Sequence, residues 1–213
     1  ETSGHSVDIS GKVDVSAANG PGGTWLIDPN NITISAGACA NILLTGSQFD
    51  STNDAAVLNV GALKAALVAG AGVTVIVETG IAGTNLEQGD ITLAAVLDFD
   101  GIGTGDTLLL RAHDDISINA AIFDSVAGGD NLSLNFVANK VGGGPTGVVN
   151  VAAAVCTASG TFTSSGLAFI NTAAITTSNG TVSITATGPT GDITIGALID
   201  AGTATVNLTA GRN

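Results

Sequence analysis

Short alternating apolar segments recur along this chain, many of the form polar-apolar-polar-apolar-polar, and turn residues separate them. Asn31-Ile-Thr-Ile-Ser35, Val73-Thr-Val-Ile-Val77, Asp90-Ile-Thr-Leu-Ala94, Thr107-Leu-Leu-Leu-Arg111 and Asp115-Ile-Ser-Ile-Asn119 are of this kind. So are Asn131-Leu-Ser-Leu-Asn135, Gly147-Val-Val-Asn-Val151, Thr181-Val-Ser-Ile-Thr185, Asp192-Ile-Thr-Ile-Gly196 and Thr205-Val-Asn-Leu-Thr209. A period of two predicts strands with the apolar residues inward and Thr, Ser or Asn outward. The starts recur about every 10–20 residues, the range expected of stacked repeats. The strands resemble one another. Hairpin dipeptides are scarce, with Asn-Gly only at Asn19-Gly20 and Asn179-Gly180, so an antiparallel sandwich is disfavoured. The pattern predicts an all-β, right-handed parallel β-helix (a β-solenoid) forming a single domain over 1–213, part of a longer or polymerised solenoid.

One segment breaks the alternation. Asn59 to Gly70 predicts a short helix, with Asn59 as N-cap, Gly70 just past the C-cap, and Val60, Leu63 and Leu67 on one face. It is expected to lie on the solenoid in place of a strand. The stretches 47–54 and 142–149 read as loops. Strand-like segments already begin at Val7-Asp-Ile-Ser and Val13-Asp-Val.

Composition supports stacked layers. Hydrophobic residues make up 45% of the 213 residues but aromatics only 3%, so the core is built from small and branched side chains. Thirty Gly and four Pro make the turns largely glycine turns. Five Lys and Arg against eighteen Asp and Glu leave a formal charge of -13, which argues against nucleic acid and anionic membrane as partners. No apolar stretch is long enough for a transmembrane helix. Cys39 and Cys156 are read either as a disulfide of an extracellular protein or as two small buried core residues.

Gly22-Gly-Thr-Trp-Leu-Ile-Asp-Pro-Asn-Asn-Ile-Thr-Ile34, with its Trp25-to-Pro29 motif, resembles the filamentous haemagglutinin-like exoproteins of bacterial two-partner secretion. Val57-Leu-Asn-Val60 before the Ala/Leu helix is similar as well, as is Thr107-Leu-Leu-Leu-Arg-Ala-His-Asp-Asp-Ile-Ser-Ile-Asn-Ala-Ala-Ile122. The resemblance covers roughly residues 20 to 210 in style; the repeats after Gly160 are generic. It implies a large secreted cell-surface protein with a rigid β-helical stalk (an adhesin, a haemagglutinin or the stalk of a contact-dependent toxin), whose partner is a host or neighbouring-cell surface. The secretion domain that opens such proteins is not recognisable here. The alternative is a filament or sheath subunit that stacks end to end with identical subunits.

Candidate chemistry is sparse, and no enzyme and no cofactor are expected. His113 sits in Arg111-Ala-His-Asp-Asp115 without an aligned nucleophile and reads as a solvent-facing turn. Asp98, Asp100 and Asp106, with Asp124 and Asp130 in a similar Gly-rich loop, are the candidate Ca²⁺ ligands. Their spacing fits neither an EF-hand nor a Gly-Gly-x-Gly-x-Asp repeat, so solvated acidic turns are the competing reading. The Asn-x-Ser/Thr sequons at Asn31, Asn131, Asn179 and Asn207 are expected from a Thr-rich strand composition alone.

Overall fold

Each expected alternating segment from residue 31 on becomes a strand, and in most of them the apolar residues find a common interior. The computed structural model describes residues 30–80, 87–126, 128–140, 147–188 and 191–211. The strand-like segments at Val7 and Val13, Asn19-Gly20, the Trp25 motif and most of the 142–149 loop lie outside the described residues. What is described is predominantly β, largely parallel, with a single helix.

Numbered along the chain, the strands form three sheets. The seven-stranded sheet contains β1 (Ile32–Ser35), β4 (Ala56–Asn59), β6 (Ile91–Leu93), β9 (Ile116–Ile118), β12 (Val148–Val151), β15 (Ala168–Asn171) and β18 (Ile193–Ile195). The five-stranded sheet contains the two-residue strands β7 (Leu97–Asp98), β10 (Ile122–Phe123), β13 (Val155–Cys156), β16 (Ile175–Thr176) and β19 (Ile199–Asp200). The eight-stranded sheet contains β2 (Ile42–Thr45), β3 (Gln48–Ser51), β5 (Thr74–Glu78), β8 (Asp106–Arg111), β11 (Leu132–Val137), β14 (Phe162–Gly166), β17 (Val182–Ala186) and β20 (Val206–Ala210). From β6 to β20 the chain visits the seven-, five- and eight-stranded sheets in that order, without exception.

Parallel pairing is in register, so like residues stack. Across the seven-stranded sheet, Ala56, Ile32, Ile91, Ile116, Val149, Phe169 and Ile193 form one inward column. Leu97, Ile122, Val155, Ile175 and Ile199 form another across the five-stranded sheet. Most of these side chains are fully buried, each stabilising by about 1.5–3 kcal/mol. Phe136, Phe162 and Phe169 are buried and meet edge to face, with centroids 5.5 and 6.3 Å apart.

The helix α1 (Val60–Val68) forms as expected. The Asn59 side chain caps it by accepting from the Ala62 N–H at 3.1 Å, and Leu63 and Leu67 are buried. Gly70 follows the C-cap Ala69, but the left-handed residue is Gly72 at φ +69°. The helix packs beside β7, at the end of the five-stranded sheet. The loop expectation for 47–54 needs correction. Gln48–Ser51 is strand β3, paired antiparallel with β2 around Gly46-Ser47, with Gly46 at φ +62°. Phe49 is the lone large apolar residue there, so the alternation was masked by polar neighbours. The Gly-Ser dipeptide was the available hairpin signal. Conversely, Asn179-Gly180 makes no hairpin. Ser178 and Asn179, at φ +50° and +85°, turn a corner from β16 to β17, which belong to different sheets.

Candidate functional site

Carboxylates gather at two corners. The first follows β7. In Asp100-Gly-Ile-Gly-Thr-Gly-Asp106, Gly101, Gly103 and Gly105 all stand at φ +85°, a conformation that L residues with a Cβ rarely adopt. Their alternate N–H groups point to the neighbouring loop. Gly101 and Gly103 donate to the two carboxylate oxygens of Asp130 at 2.6 and 3.0 Å, and Gly105 donates to Asn131 at 3.0 Å. Ligand oxygens of Asp100, Asp124 and Asp130 lie within 4.8 Å of one another, all half-buried.

Of the five candidate ligands, the fold therefore brings three together. Asp98 braces its own turn and its neighbour, accepting from the N–H groups of Asp100 and Ser125 at 3.1 Å each. The Ser125 hydroxyl, and secondarily these N–H groups and the nearby Lys64, hold its carboxyl below the usual range. Asp106 points inward instead. It is fully buried, one oxygen accepts from the Val73 N–H at 2.7 Å, and the other has no hydrogen-bond partner.

The second corner, Asp90, Asp114 and Asp115, was not singled out from sequence. Their ligand oxygens also lie within 4.8 Å of one another. They belong to a ladder at the entrance of the seven-stranded sheet. Asn31 accepts from the Asp90 N–H at 2.7 Å, Asp90 from the Asp115 N–H at 3.0 Å, and Asp115 from the Val148 N–H at 2.6 Å. Asp114 accepts from the Gly147 N–H at 2.7 Å, and Glu87 spans the N–H groups of Asn31 and Ala55. Burial pushes the Asp90 carboxyl above its ordinary value. The Asp115 N–H opposes this, while the charges of Asp115, Asp114 and Glu87 add to it. The legible signal was an Asp before an Ile-x-Leu or Ile-x-Ile triplet, 25 residues apart.

The outer face of the eight-stranded sheet carries an ion-pair group. Glu78 pairs with Arg111 and with Lys140, each at 2.8 Å, and Lys140 also donates to the Thr79 carbonyl. The Lys140 side chain is only 6% exposed. Its burial pulls the ammonium below its ordinary pKa, against the pull of Glu78.

The turn at His113 is not the solvent-facing loop expected. Ala112 and Asp114 on either side are fully buried, His113 is half-buried, and its Nδ1 has no hydrogen-bond partner. Its backbone N–H donates to Thr79 Oγ1 at 2.9 Å. Cys39 and Cys156 are both free thiols. Cys39 accepts from the N–H of Asn59 before α1, whereas Cys156 lies in β13, two strands beyond β7. Three sequon asparagines are turn braces: Asn31 and Asn131 as above, and Asn179, which accepts from the Thr203 N–H and hydroxyl at 2.9 Å each.

The arrangement can do two things. Clustered carboxylates suit a hard cation such as Ca²⁺, which takes 6–8 oxygens. Most of these carboxylates also accept backbone N–H bonds from adjacent layers and so brace the corners. Between α1 and β7 lies a cleft of about 150 Å³ lined by Val60, Gly61, Lys64, Val96, Leu97 and Asp98, below the roughly 300–1,000 Å³ of small-molecule sites. No known protein family, curated protein or solved structure matches this chain.

Proposed function

We propose that this chain is a right-handed parallel β-helix acting as the rigid, non-enzymatic stalk of a secreted bacterial surface adhesin of the filamentous haemagglutinin-like kind. The observation that carries the reading is the unbroken rotation of strands among three sheets from β6 to β20, with aliphatic columns in register. Stacked coils of a solenoid produce that order, and each coil then gains stability from its neighbours alone. Corners braced by carboxylates stiffen such a shaft. The acidic, cation-poor surface suits an extracellular spacer better than a nucleic-acid binder.

Immunogold labelling of intact producing cells tests the reading. Label along thin surface projections is expected; label confined to the cell interior would overturn it. The second reading is a self-assembling filament. It is favoured by apolar residues exposed on both outer strands of the eight-stranded sheet: Leu43 and Leu44 on β2, Val206 and Leu208 on β20.

A further inference from the structure

We draw no further inference here: the strongest candidate, the uncharged ridge of small apolar side chains where successive layers turn from the seven-stranded into the five-stranded sheet (residues 94–96, 120–121, 152–154 and 173–174), is a partly exposed stripe, and nothing in the structure shows what covers it.

Discussion

Gly180 lies directly on Gly160: a Cβ at position 180 would sit 1.9 Å from the Gly160 carbonyl oxygen. Both glycines end equivalent corners. In each, a buried Thr (Thr157 or Thr177) accepts the glycine N–H at its carbonyl and donates its hydroxyl back to the glycine carbonyl. Backbone meets backbone here, so no side chain can give way. Gly180→Ala is expected to destabilise by at least about 2 kcal/mol. Gly129→Ala, whose Cβ meets nothing within 4 Å, should change stability by less than about 0.5 kcal/mol. Equal urea midpoints for the two variants would contradict this stacking.

Glu78 neutralises two cations, one of them nearly buried. Glu78→Gln leaves Lys140 without its counter-ion, and the cost should be about 3 kcal/mol, as for a broken buried pair. Lys140→Met removes charge and desolvation cost together and should cost clearly less. Urea denaturation of the two single variants and the double variant measures the coupling.

Asp90 has a native pKa raised chiefly by burial. A proton on Asp90 therefore favours the folded state. That contribution is fully present below the ordinary carboxyl value of 3.8 and is lost as pH rises through the raised native value. Asp90→Asn keeps an oxygen for the Asp115 N–H without the charge. Its melting temperature should exceed that of the unaltered chain at pH 7, and the gap should close on acidification toward pH 3. A gap independent of pH would exclude the charge as its cause.

Asp130 donates no proton to its loop but accepts two, from Gly101 and Gly103. Asp130→Ala should cost about 1.5–3 kcal/mol through the loss of charge-assisted hydrogen bonds. If the Asp100-Asp124-Asp130 group also takes Ca²⁺, millimolar Ca²⁺ will raise the melting temperature of the unaltered chain, and Asp130→Ala will abolish the rise. If the carboxylates act only as braces, EDTA and Ca²⁺ will leave the melting temperature unchanged. Calorimetric melting with either addition separates the two.

Cys39 is exposed and Cys156 half-buried, and neither is bonded. Two thiols per native chain should react with maleimide under non-reducing conditions, Cys39 first. Mass mapping that finds a Cys39–Cys156 bridge would require a different arrangement of β13 against the α1 end.

Local pattern by itself determined a great deal. Residues such as Ile32 and Ile34, or Ile116 and Ile118, alternate with polar neighbours, and a period of two leaves an extended backbone as the way to bury them together. Asn59 before an Ala/Leu run carried its own helix cap, since that hydrogen bond closes within three residues. The tertiary structure alone decided which strands are neighbours. β7, β10, β13, β16 and β19 have two residues each, too few to show any period, and exist through pairing with one or two parallel neighbours in their sheet. β3 was hidden by Gln48 and Asp50 around a single Phe49. The acidic corners were equally out of reach. Asp90 and Asp115 are 25 residues apart, and Asp100 and Asp130 are 30 apart, yet each pair meets because parallel pairing stacks their turns. Side-chain chemistry is written locally, but proximity is set by register, and register is fixed only when paired strands bury their apolar faces together.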